Sequence, residues 1–244
     1  MGILSKLSGL FNSNNKNVTQ EEDKNQTQKE DIVMRAEQKE GFSEMNVGEN
    51  VTKTLNLEQD RLDFLPVIRN FEENDMFHQV VVNEKLGDNI GAFIARVKVR
   101  PNGRTGIDYV MKSNLYEYKI TEEEVLDISF QNIKKAKLKI EGLKDPATGE
   151  NMISISSQIG LATCILYDSN FIDKLKADIK ADDLHVTIIN SGTVALSIPN
   201  GSFEENLERI VLESNYRDVV AIDPSTYLWE NQTLQLVRKY RDAQ

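Results

Sequence analysis

Apolar side chains at Ile3, Leu4, Leu7, Leu10 and Phe11 recur at the spacing of one helix face, with Ser5, Lys6, Ser8 and Gly9 opposite. Isolated helices shorter than about 12–15 residues are marginal in water. The segment 1–12 is therefore expected to be an amphipathic helix that is ordered only on its own domain, on another protein or on a membrane surface. From 13 to 56 the chain is dominated by Asn, Gln, Glu, Asp and Lys. So few apolar groups cannot offset the entropy of ordering, and the stretch reads as a largely disordered linker with a transient helix near Ile32 to Gln38.

The folded part is expected to start at Leu57. Leu57 to Asn70 reads as a helix with Leu62, Leu65 and Ile68 inward, capped, kinked or ended by Pro66. Strands are predicted at Val80 to Val82, Ile90 to Val99 and Ile107 to Met111, with turns at Gly87-Asp88-Asn89 and Pro101-Asn102-Gly103. Thr121-x-x-Glu124 is a capping box, and Val125, Ile128, Ser129 and Ile133 form the stripe that follows it.

Beyond residue 150, Ile153 to Ser157 alternates as a strand, and the unbroken apolar run Leu161 to Tyr167 predicts a central strand buried on both faces. Asp168 or Ser169 caps a helix with Phe171, Ile172, Leu175 and Ile179 inward. Val186 to Ile189 and Thr193 to Ile198 flank the turn triplet Asn190-Ser191-Gly192. Ser202-x-x-Glu205 reads as a second capping box before a face of Phe203, Leu207, Ile210 and Val211, and Leu234 to Val237 closes the chain as a strand. Mixed helices and tight hairpins predict an α+β fold with mixed or antiparallel sheets and packed amphipathic helices. Two α+β halves are expected, 57–150 and 151–244.

Four stretches stand out as packing and turn motifs: Leu65-Pro66-Val67-Ile68-Arg69, Tyr109-Val110 leading to a Glu122-Glu123-Glu124 helix that reaches Asn132, Gly160 to Asp168, and Pro199-Asn200 before a Glu-rich helix. On these motifs, residues 57–238 resemble the YtpQ-like proteins of unknown function found in Firmicutes and their clostridial relatives. The resemblance implies a cytoplasmic bacterial α+β protein and carries over no activity or catalytic residue; Glu72 to Thr105 departs most from the pattern, and the first 56 residues lie outside it.

Charge narrows the partners. The net charge of -10 opposes a groove that tracks phosphates. Lys134, Lys135, Lys137, Lys139 and Lys144 are the basic exception, but no aromatic residue interleaves with them, so they read as a solvated helix face. Nucleic acid is disfavoured as a partner. A single cysteine, Cys164, sits among apolar neighbours as a buried residue of a reducing, cytoplasmic setting. Gly2 lacks the Ser or Thr at position 6 that myristoylation wants, since Lys6 stands there.

No catalytic, cofactor-binding or metal-ligating residue is singled out. His78 and His185 are the two histidines, neither at ligand spacing, and the pairs Asp182-Asp183 and Glu204-Glu205 read as loop and helix-start acids. Tyr227 and Trp229, beside Asp223 and Pro224, are read as an aromatic loop that either packs as a C-terminal corner or contacts a partner. The leading functional expectation is a non-enzymatic protein-interaction module, cytoplasmic, recruited to a protein partner or peripherally to the inner membrane face through Ile3, Leu4, Leu7, Leu10 and Phe11. A hydrolase-like enzyme whose site assembles only in the fold is the rival reading, and a chaperone-like or immunity-like binder the third.

Overall fold

The computed structural model describes residues 55–72, 75–213 and 222–240. The stripe of Ile3, Leu4, Leu7, Leu10 and Phe11 lies outside the described residues, as does the linker up to residue 54.

Among the described residues, ten strands join in one sheet. They are β1 (Phe64–Asn70), β2 (Asn83–Gly87), β3 (Ile90–Val99), β4 (Thr105–Tyr109), β5 (Leu138–Lys144), β6 (Asn151–Ser157), β7 (Leu184–Asn190), β8 (Thr193–Ser197), β9 (Ser225–Glu230) and β10 (Thr233–Lys239). Their spatial order is β1-β3-β2-β10-β9-β7-β8-β6-β5, with β4 pairing beside β2 on β3. The helices are α1 (Leu57–Asp60), α2 (Met76–Val80), α3 (Asn114–Tyr118), α4 (Glu122–Gln131), α5 (Ser169–Ile179) and α6 (Glu204–Glu213). Three 3-10 segments, Arg61–Asp63, Ile133–Ala136 and Ala162–Tyr167, connect them. The α+β fold class is as the hydrophobic pattern predicts.

Two antiparallel groups meet at one seam. β1 to β4 pair among themselves, β5 to β10 likewise, and the groups touch where β2 and β10 run parallel at Gly87 and Leu234. A Cβ on Gly87 would stand 2.0 Å from the Leu234 carbonyl oxygen, so the seam requires glycine there. Asp88 reinforces it: its N–H donates to Leu234 O at 2.8 Å, and its carboxylate accepts from Leu236 N–H at 3.1 Å. Asn70 and Asp223 add a reciprocal pair, Asn70 Nδ2 donating to the Asp223 carboxylate at 2.8 Å and Asp223 N–H to Asn70 Oδ1 at 3.1 Å. β5 belongs to the stretch 57–150 yet pairs along its whole length with β6, so the sheet runs without a break past residue 150.

Strand alternation divides the second group's core. Leu184, Val186 and Ile188 of β7, Val194 and Leu196 of β8, and Tyr227 and Trp229 of β9 join the main cluster with Ile172, Leu175 and Ile179 of α5. Met152, Ile189 and Ala195 point the other way and meet Phe203, Leu207 and Val211 from the start and face of α6. In the first group Phe64, Ile94 and Val110 pack with Tyr118 of α3 and Val125 of α4. The predicted stripes of α4, α5 and α6 are thus the faces that are buried.

Local signals hold where a polar side chain satisfies a backbone end. Thr121 and Glu124 form the capping box of α4, and Asp168 caps α5 by accepting from Phe171 N–H at 3.0 Å. Asn190 Oδ1 accepts from Gly192 N–H at 2.9 Å in the β7–β8 turn.

Five expectations are corrected. The helix over Leu57 to Asn70 stops after one turn, and Phe64–Asn70 is strand β1. Proline there costs no ladder hydrogen bond because β1 ends the sheet and Pro66 can turn its missing donor outward. The run Leu161 to Tyr167 forms no strand: Ala162–Tyr167 is a 3-10 segment, buried through Leu166 and lying against β1 and β8, since a largely apolar run fits either kind of buried element. Val80 to Val82 holds the end of α2 and a single bridge from Val81 to Met111. α6 begins at Glu204, and the Ser202 N–H is taken by Glu150 while Glu204 accepts from Asn200 N–H at 2.8 Å. The lysine run follows a 3-10 segment and edge strand β5, not a helix face.

Candidate functional site

A cavity of about 420 Å3 opens beside the seam. Six elements line it where the seam joins the two groups: β2, α4, the 3-10 segment Ala162–Tyr167, α5 at Ser169, β9 and β10 at Thr233. β2 contributes Glu84, α4 contributes Asp127 and Phe130, the 3-10 segment ends at it with Tyr167, and β9 closes it with Trp229 before the turn to Gln232.

Its polar groups are held in place. The Tyr167 hydroxyl donates to Glu84 Oε2 at 2.6 Å, linking segments 83 residues apart in sequence. Burial, then that hydrogen bond and the charges of Glu84 and Asp127, push the Tyr167 phenol well above its ordinary pKa, so it stays a donor. The Phe130 ring stands edge-on to Tyr167, centroids 6.2 Å apart, and Phe130 is 42% exposed. Trp229 is buried at 3% exposure, with its indole N–H donating to Asp173 Oδ1 at 2.7 Å.

The β9–β10 turn is unusual. Asn231 and Gln232 both take left-handed φ, 50° and 60°, in a two-residue hairpin that ordinarily prefers Asn-Gly. Gln232 is retained by side-chain bonds, its Nε2 donating to Asp173 Oδ2 at 3.1 Å and its Oε1 accepting from Ser169 at 3.3 Å. The turn is thereby fastened to the start of α5 at the rim of the cavity.

The exposed carboxylates of Glu84 and Asp127, which outnumber the Lys85 ammonium on the same wall and stand with the Phe130 and Tyr167 rings, are suited to an ammonium or guanidinium group. The rings attract a cation through their quadrupoles, and the carboxylates accept its N–H groups.

Of the residues singled out from sequence, those among the described residues fall elsewhere, with one exception. Tyr227 and Trp229 are not loop residues; they lie on β9 at 1% and 3% exposure, because strand alternation turns both into the main core. Only Trp229 reaches the cavity. Cys164 is fully buried, and burial pushes its thiol up to about 12, which withholds the thiolate. His185 lies on the sheet face toward α6, its Nδ1 3.9 Å from Glu204. Burial pushes its pKa down against the pull of Glu204 and Asp183. His78 sits on α2 with its ring 4.9 Å from Phe71. No group of three or more His, Cys, Asp or Glu that could hold a metal occurs among the described residues.

Glu84, Asp127, Phe130 and Tyr167 escaped the sequence reading. One signal was available: Phe130 is a large apolar residue off the Val125-Ser129 stripe of its own helix. Comparison of the chain with protein-family models, with curated proteins and with solved structures finds no match.

Proposed function

We propose that the folded unit is a non-enzymatic protein-interaction module whose cavity receives a lysine or arginine side chain of a partner protein. The observation that carries this reading is the meeting of Glu84 and Asp127 with the rings of Phe130 and Tyr167 in one cavity. The chain's net charge of -10 favours a cationic partner at longer range. On this reading the protein is cytoplasmic, and the stripe Ile3, Leu4, Leu7, Leu10 and Phe11 is a second contact that recruits it to a partner or to the inner membrane face. No helix among the described residues is long and apolar enough to cross a membrane.

Trp229 is the single tryptophan and lines the cavity, so its fluorescence reports occupancy. Titration of the full chain with short arginine-rich and lysine-rich peptides is expected to give a saturable change, with none for the matched peptides in which citrulline or acetyl-lysine replaces the cation. A cation–π contact contributes about 0.5–2 kcal/mol, and a hydrogen bond to a charged group about 1.5–3 kcal/mol. Phe130→Ala combined with Glu84→Gln should therefore weaken binding by about tenfold or more. Equal binding of the charged and neutral peptides would defeat the proposal.

A further inference from the structure

Among the described residues β5 ends the sheet, paired on one side by β6 and with no strand on the other. A groove of about 490 Å3 runs between β5 and α5, lined by Ile140, Gly142 and Ile153 from the sheet and by Leu175 and Ile179 from the helix. Ile140 is 41% exposed. Gly142 leaves a gap in the strand face, for a Cβ built on it meets nothing within 4 Å. Glycine inside a strand weakens it locally and often marks the close approach of another chain.

The strand is self-complementary about Glu141. If a second β5 lies antiparallel with Glu141 on the twofold axis, Ile140 of each chain stands opposite Gly142 of the other, on the same face of the joined sheet. The apolar side chain of one chain then fills the gap of the other, twice, as a twofold interface requires. On the opposite face the arrangement also answers the charges. Lys139 bonds Glu141 within one chain at 2.8 Å. In the pair, each Lys139 also becomes the diagonal neighbour of the partner's Glu141, so the two facing carboxylates lie between two ammonium groups. Edge lysines, which ordinarily keep strands apart, here neutralise the contact.

We propose that the protein forms a twofold dimer through antiparallel β5–β5 pairing centred on Glu141, with Ile140 of each copy seated over Gly142 of the other. The occupant of the β5 edge is thus a second copy of this chain, and the joined sheet has twenty strands from two ten-stranded halves. A single seven-residue strand pair is a small interface, so the dimer is concentration-dependent rather than obligate. The proposal is independent of what occupies the cavity at the seam.

Sedimentation velocity of the full chain over a hundredfold range of concentration tests it. The wild type is expected to shift from monomer to dimer across that range. Gly142→Val fills the gap and Ile140→Asp removes the knob; each should leave a monomer at every concentration with an unchanged circular dichroism spectrum. The exchange variant Ile140→Gly/Gly142→Ile restores the complementarity only in the Glu141-centred register and should recover the dimer. A wild type that stays monomeric overturns the proposal, as does a dimer that survives both single substitutions or an exchange variant that stays monomeric.

Discussion

Asp60, Arg96 and Tyr118 form the most heavily buried charged group in the described residues, at 6%, 8% and 5% exposure. Arg96 Nη1 donates to Asp60 Oδ2 at 2.9 Å, Tyr118 Oη donates to the same oxygen at 2.8 Å, and Arg96 also pairs with the more exposed Asp108. Burial alone would raise the Asp60 pKa, but the Tyr118 hydrogen bond and the Arg96 charge outweigh it and hold the carboxyl below its ordinary value. Removing one partner leaves an uncompensated buried charge. Arg96→Met should therefore cost about 3–5 kcal/mol of unfolding free energy in urea. Combining it with Asp60→Leu should cost less than the sum of the single changes, because neither charge is then stranded. The pH dependence has a definite sign. A carboxyl depressed in the folded state contributes stability above its unfolded pKa and loses it as pH falls through the folded value. Acid destabilisation below about pH 4 should then be shallower in Asp60→Asn than in the wild type, measured by thermal melting at stepped pH.

Among the elements, the β2–β10 seam has the narrowest tolerance, since backbone occupies the space a side chain at Gly87 would need. Gly87→Ala should separate the strands or shift them, lowering the melting temperature and loosening the cavity beside them. Gly142→Ala, at a position open in the single chain, should leave the melting temperature of the dilute, monomeric protein nearly unchanged. This contrast also marks what was legible in the sequence. Elements with a polar signature at their ends were readable: the Thr121–Glu124 box, the Asp168 cap and the Asn190-Ser191-Gly192 turn each satisfy their backbone locally. Elements decided by distant packing were not. Leu161 to Tyr167 is apolar but for Thr163, so no period separates a strand from the 3-10 segment that rests on β1. Phe64 to Ile68 is buried to the same degree, and its pairing with β3 depends on residues about thirty positions away. The cavity was illegible for the same reason. Glu84, Asp127 and Tyr167 carry no spacing signal, and they meet because a seam between two strand groups brings them together.

Across the whole molecule, Thr54–Gln244 forms one compact unit in which the second strand group carries α5 and α6. Two carboxylates against the one Lys85 ammonium in the cavity wall, on a chain of net charge -10, make association with cationic peptides salt-sensitive, because exposed charges are screened over about 10 Å at 0.1 M salt. The most direct test of the central claim is chemical-shift mapping by nuclear magnetic resonance on the 15N-labelled full chain as an arginine-containing peptide is added. The account predicts saturable shifts concentrated at Glu84, Asp127, Phe130 and Tyr167 and at the Trp229 indole N–H. Shifts confined to other surfaces, or none at millimolar peptide, would contradict it.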